Sequence, residues 1–331
     1  MALTASKIEQ LIEELSIASL RSWLKAQGFQ HSANTKEEMV QRILKLHKKN
    51  AISEEQFEAA VSNIEEASGK RVMLFQVGDD QLKALAAETF EEHLAELGAK
   101  PATKAVRAPR LPSNPTRVYV TLVDGQIRAK WAETQTRIDA DYHSLEFVKR
   151  KVTRIVVMVA NMKSGFVELR YDKPEIRHIH NNNAEQYFKF YKELAEKLLG
   201  VNLARFEIRD ALRSLVETEP RVVRIRVNQH RSKTDKAVRF VDRKGLSDVR
   251  DDAEWKAALA AGGTTRVYDD QAVYWVPAAS NGLLSREVFT DIDAVTSTVR
   301  MDADCHEGEI EYAVSTIRAH QIKPSASSSP A

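Results

Sequence analysis

Two groups of basic side chains carry the chemistry that this sequence advertises most strongly. The first is Arg21, Lys25, Lys36, Arg42, Lys45, Lys48 and Lys49; the second is Arg224, Arg226, Arg231, Lys233 and Lys236. Lysine and arginine at this density neutralise phosphate oxygens and release counterions, so the chemistry is anion binding rather than bond making. Spacing supports this in both places. Arg42, Lys45 and Lys49 recur three and four residues apart, on the helical face opposite Met39, Val40, Ile43, Leu44 and His47. In the second group Val223, Ile225 and Val227 alternate with Arg224, Arg226 and Asn228, which gives a strand one aliphatic and one cationic face. Like charges across a hairpin cost stability, so an outside polyanion would explain this one. The alternative is that acidic helices of the chain itself, from 51–100 or 246–256, cover it.

Other chemistries are less well supplied. His178 and His180 are two apart and share a face if extended, but no further ligands stand at fixed spacing. Asp302, Asp304, Cys305, His306 and Glu307 read as an acidic turn before they read as a metal site. A metal-dependent nuclease would need carboxylates beside a lysine; Glu168 and Asp172 alternate with Arg170 instead. The chain has no phosphate-binding glycine loop, nucleophile elbow or dinucleotide fingerprint, so catalysis and a cofactor are not expected. Trp131, Tyr187, Phe188, Phe190 and Tyr191 have core spacing rather than that of base-stacking platforms.

The elements that must position the first group are two short helices and an extended bend. Ser16 is placed to cap one helix, Ile17, Leu20 and Leu24 recur at helical spacing, and Gly28 ends it. Thr35 caps the next, with Glu38 completing a capping box. This pattern resembles the SAP motif, a helix-extension-helix module of chromatin and DNA-repair proteins, on Leu20, Leu24, Lys25, Gly28, Thr35, Lys36, Met39, Val40, Arg42, Ile43 and Leu44. The resemblance implies binding of duplex DNA. It departs at the bend, where Ser32, Ala33 and Asn34 stand in place of a second glycine; Asn34 is expected to supply the left-handed turn. The alternative is a two-helix cap on the next domain, with a solvated lysine face.

A leading helix over 5–15 and a further helix from Ser53, with Gln56 at its capping-box position, complete a small all-helical unit. The stretch Ile52 to Val77, with its acidic helix and the apolar run from Lys70, is similar to the centromere protein N family, in which a helical domain precedes a β-rich one and basic residues bind nucleosomal DNA. Residues 82–97 read as a helix. Residues 98–116 hold four of the nine prolines, four basic residues and no acid, and read as a linker between domains.

From Arg117 the hydrophobic period changes to two. Strands are expected over 117–123 and 126–133, joined by a type I′ turn at Asp124-Gly125, and over 154–160 and 166–172. Helices follow at 183–199 and 205–217, strands at 222–228 and 237–242, and a helix at 246–260. Residues 264–276, 286–300 and 308–321 read as β, and 323–331 as a disordered tail. Hairpins without regular strand-helix alternation indicate an α+β chain: a helical domain over 1–97, the linker, and a mainly antiparallel sheet with packed helices over 117–322.

Charge is segregated along the chain although its net value is +2. Residues 1–50 carry eight Lys or Arg against five Asp or Glu, 51–100 four against eleven, 221–244 nine against two, and 245–331 seven against fourteen. A cationic surface for a polyanion, with other faces repelling it, is what this arrangement suits. One cysteine excludes an internal disulfide, and no apolar run approaches the roughly 18 residues of a transmembrane helix. These features point to the cytoplasm (nucleoid) or nucleus and to a non-enzymatic adaptor. It would grip duplex DNA and engage a protein partner through its acidic C-terminal third. The competing reading is a protein-interaction subunit that does not touch DNA, in a bacterial defence or partition system for example.

Overall fold

Start signals in the sequence become helices with the caps they require. In a computed structural model, residues 3–13, 15–104, 106–112, 114–141, 146–172, 181–217, 221–232, 237–242, 244, 247–260, 264–301 and 304–321 are described. The chain divides into two units, Met1–Ala204 and Arg205–Ala331. Its class is α+β: N-terminal helices followed by mostly antiparallel strands with packed helices.

The first unit begins with α1 (Ala5–Ile12), α2 (Ile17–Ala26), α3 (Lys36–Lys48) and α4 (Glu54–Ala67). Their apolar stripes meet in one core that includes Ile8, Leu24, Met39, Ile43, Phe57 and Val61. Ser53 and Gln56 form the expected capping box at the start of α4. Then come β1 (Lys70–Val77), α5 (Ala87–Glu96), β2 (Thr116–Val123), β3 (Gln126–Asp141), β4 (Glu146–Asn161), β5 (Phe166–Asp172), α6 (Asn181–Leu199) and the short β6 (Leu203–Arg205), which pairs with β1. Strand order is β2-β3-β4-β5-β1, antiparallel throughout. The β2–β3 turn has φ of +51° at Asp124 and +72° at Gly125, as a type I′ hairpin requires.

Alternation along β3 decides what each side of this sheet does. Ile127, Ala129 and Trp131 enter a core shared with Phe90, Leu94, Tyr191 and Leu198 from α5 and α6. Arg128 and Lys130, one residue out of phase, reach carboxylates of α4 instead. Residues 98–116, expected to separate domains, run within the first unit. Ala102 N–H donates to Val120 O at 2.6 Å, Arg107 Nε donates to Glu65 Oε1 at 3.0 Å, and Arg110 pairs with Glu13 at 2.7 Å. Charge explains the attachment: an acid-free basic segment lies against the acidic α4 and the end of α1. The helix expected over 82–97 is split, with a 3₁₀ segment over Asp79–Leu85 ahead of α5.

The second unit contains α7 (Arg209–Glu217), β7 (Val223–Ser232), β8 (Ala237–Val241), α8 (Ala253–Ala260), β9 (Thr264–Trp275), β10 (Val288–Asp293), β11 (Thr298–Met301) and α9 (Glu307–Ala319). Its strands run β11-β10-β9-β7-β8, antiparallel. Trp275 is fully buried, donates Nε1–H to Thr290 Oγ1 at 3.0 Å and meets Tyr312 of α9 edge-on at 6.0 Å. The expected β-structure over 308–321 is a helix. Ile310, Ala313, Val314 and Ile317 are buried together, a three-four-seven spacing that short-range alternation around Tyr312 had obscured. The tail 323–331 and the pair His178 and His180 lie outside the described residues.

Candidate nucleic-acid interface

Local chemistry holds the helix-extension-helix segment in shape. Ser16 Oγ accepts from Ser19 N–H at 3.0 Å to open α2. At its far end Gly28 N–H reaches Lys25 O and Phe29 N–H reaches Leu24 O, both at 2.9 Å, the paired bonds of a Schellman cap. Gly28 has φ +74°, which is why glycine stands there. Asn34 is not among the residues with positive φ, so the turn expected of it does not form. The bend is fixed from outside: the Arg21 guanidinium donates to Ala33 O and, at 3.2 Å, to Asn34 Oδ1, so no left-handed residue is needed. Thr35 Oγ1 caps α3 through Glu38 N–H at 3.2 Å. Glu38 itself reaches past Thr35 to accept from Asn34 N–H at 2.6 Å, tying the bend to the helix.

The twelve basic residues singled out by the sequence therefore fall into distinct roles. Arg21 is committed to the bend, and Lys36 donates Nζ–H to Glu13 O at the end of α1. Lys25, Lys45, Lys48 and Lys49 are exposed, and none forms an ion pair among the described residues. Lys45 and Lys48 sit in the last turn of α3 and Lys49 is its C-cap, where the negative end of the helix dipole favours cations. Arg42, three residues before Lys45, is half-buried; its Nε and Nη1 are shielded and have no hydrogen-bond partner among the described residues. His47, on the other side, is held by Ile52 O at 3.0 Å from Nδ1.

In the second group two of the five cations have described side chains, and one of them is paired with an acid. Arg224 forms a two-pronged pair with Glu287, at 3.2 and 2.5 Å, and lies 4.2 Å over the Tyr274 ring. Arg226 lies 5.2 Å from the Phe289 centroid. Arg231 belongs to β7, but its side chain, with Lys233 and Lys236, lies outside what is described. Acids after 244 face their own arginines: Asp251 pairs with Arg221 at 2.9 Å, Asp248 with Arg250 at 2.7 Å, Asp269 with Arg209 at 2.8 Å and Glu309 with Arg286 at 3.1 Å. Of the stretch 246–256 in the alternative reading, Asp251 meets Arg221 just ahead of β7, whereas Arg224 on the strand is met by Glu287 from outside that stretch. The acidic third expected to engage a protein partner is to that extent occupied.

A buried ionic cluster went unrecognised in the sequence. Lys130, with no exposed surface, lies 3.1 Å from Glu66 Oε1 and 3.3 Å from Glu65 Oε2 and donates to Ser62 Oγ at 3.2 Å. Tyr119 O–H also donates to Glu66 Oε1, at 2.8 Å, and Arg128 Nε to Oε2 at 2.9 Å. Burial disfavours the Glu66 anion, but Lys130 and Arg128 outweigh it and hold its carboxyl below the usual range. The missed signal was the out-of-phase pair Arg128 and Lys130 on an otherwise buried strand. The carboxylates considered for metal chemistry are likewise engaged, Glu168 with Arg170 at 2.7 Å and Asp172 with Lys70. Among the described residues no group of three His, Cys, Asp or Glu could hold a metal ion.

Cys305 is buried, and desolvation, reinforced by the Glu309 charge, pushes its thiol up to about 12. Thiolate is the reacting species, so the native protein should leave Ellman's reagent unreacted at pH 7.5 over an hour, whereas protein in guanidinium chloride should react stoichiometrically. Rapid labelling of native protein would contradict the burial.

No helix among the described residues is long and apolar enough to cross a membrane. Comparison with protein-family models and with curated proteins finds no match to this chain.

Proposed function

We propose that the α2–α3 segment is a duplex-DNA-binding module, and that the protein is a non-enzymatic adaptor gripping the phosphate backbone without reading sequence. One observation carries this reading. Lys25, Lys45, Lys48 and Lys49 remain exposed without ion pairs among the described residues, whereas Arg107, Lys130, Arg221 and Arg224 of other basic segments are paired with acids. Exposed unpaired lysines at the ends of α2 and α3 are charges that counterions must screen, and a phosphate lattice does so with a gain in counterion entropy. Phosphate contacts of this kind position a protein but do not specify bases. The SAP resemblance of the same segment, carried by Lys25, Lys36 and Arg42 among others, implies the same ligand.

The competing reading, docking to another protein without DNA, uses the same cations and is favoured by no separate observation at this face. Anisotropy titration of a labelled duplex separates the two. With four contacts the slope of log K against log salt should be about −3.6. Single-stranded DNA should bind with a shallower slope, roughly 0.7 per contact. A flat salt response, or no duplex binding at about 50 mM salt, would remove DNA as the ligand.

A further inference from the structure

A second concave surface in the first unit has the opposite need. Leu97, Arg117, Trp131, Leu194, Lys197 and Leu198 line a groove of about 310 Å³. Its floor residues are apolar but largely covered, Trp131 and Leu198 being buried and Leu97 and Leu194 half-buried, so the exposed lining is more polar than apolar. One turn back on α6, Phe190 is 42% exposed and extends this apolar strip, since residues four apart share a helix face. Lys197, three residues beyond Leu194, brings a cation to the same side; Arg117, opposite Trp131 in the β2–β3 register, brings another.

Both cations are exposed, neither has an ion pair among the described residues, and none of the six lining residues is acidic. The carboxylates nearest the lining in sequence have other partners: Glu193 meets Lys189 at 4.0 Å, Glu196 meets Lys192 at 2.7 Å, Glu96 meets His93 at 3.7 Å and Glu133 accepts from Gln135. Two like charges converging on a low-dielectric floor raise the local potential, and an apolar group carrying a carboxylate relieves both the exposed hydrocarbon and the uncompensated charge. The volume is at the lower end for ligand sites, enough for one or two bulky side chains.

We infer that this groove docks a short peptide segment of a partner protein in which bulky apolar residues are flanked by glutamate or aspartate. The apolar side chains enter over Trp131 and Leu194, and the carboxylates meet Arg117 and Lys197. This surface is separate from the lysines of α3, and the inference stands whether or not those bind DNA.

The test uses the full chain and a fluorescein-labelled peptide of about ten residues alternating glutamate with leucine and phenylalanine. Saturable binding in the micromolar range is expected. R117E/K197E should weaken it at least about tenfold, and a peptide with lysine in place of glutamate should not bind. Glutamate at Lys45, Lys48 and Lys49 should leave peptide affinity within about twofold, which distinguishes this groove from general attraction to a basic protein. Circular dichroism of R117E/K197E guards against unfolding, and L194D, which keeps both cations, should also lose the peptide. The inference is overturned if no saturable binding appears up to about 1 mM. It is equally overturned if R117E/K197E binds like the parent, or if the α3 variant loses the peptide instead.

Discussion

Changing Lys45, Lys48 and Lys49 together to glutamate should lower affinity for duplex DNA by about a hundredfold or more at roughly 50 mM salt. The size follows from counterion release: each phosphate contact contributes about 0.9 to the log–log salt slope, which is about one decade of affinity at that salt concentration relative to 1 M. Three contacts give up to about three decades, and the reversed charges add repulsion. These side chains are exposed, so little packing is lost. They do sit at the C-terminal end of α3, where acids oppose the helix dipole by about 0.3–1 kcal/mol each. Glutamine at the same positions removes that complication: it should lower the slope by about 2.7 while leaving thermal unfolding nearly unchanged. Arg42→Gln extends the series, because its shielded nitrogens have no partner within the described protein. Parent-like affinity in the glutamate variant, measured at low salt, would rule out this helix end as the DNA contact.

The second large effect concerns stability. Lys130→Met or Glu66→Leu alone should destabilise the first unit by about 1.5–3 kcal/mol, because each removes one partner from a dry ionic network while Arg128 still meets Glu66, or Glu65 still meets Lys130. Glu66→Leu leaves Lys130 with Glu65 and Ser62, but deprives Tyr119 and Arg128 of their acceptor. Changing both residues together should recover much of the loss, since a buried ion pair and its apolar replacement are often near parity. Urea unfolding of the four proteins gives the coupling energy directly. The pH dependence has a definite sign. Glu66 has a folded-state pKa below its ordinary value of 4.5, so its contribution is complete above that value and is lost as pH falls through the depressed one. Between pH 6 and pH 3 the parent should therefore lose more stability than the E66L/K130M double variant. Additive single effects would mean that the cluster is not coupled.

That cluster also bears on function. It sets α4, and with it the helical core of Phe57, Met39 and Ile43, against β3. The lysines of α3 are thereby carried on a packed scaffold, which reduces the ordering entropy lost on meeting phosphate.

Local patterns in the sequence determined most elements by themselves. Ser16, Thr35 and Ser53 announced helix starts, Gly28 an end, and Asp124-Gly125 a hairpin, because caps and turns depend on side chains within a few residues. Strand alternation at 223–227 and the cationic face of α3 were legible for the same reason. Tertiary structure alone decided which charges stay free. Arg224, Asp251 and Lys130 look alike in a string of letters, yet their partners Glu287, Arg221 and Glu66 stand 30 or more residues away. An ion pair needs two groups within about 4 Å, and only the folded chain brings such distant residues together. The same long reach moved the supposed linker into the first unit, through Glu65 and Glu13, and let Arg21 replace the missing glycine at the bend.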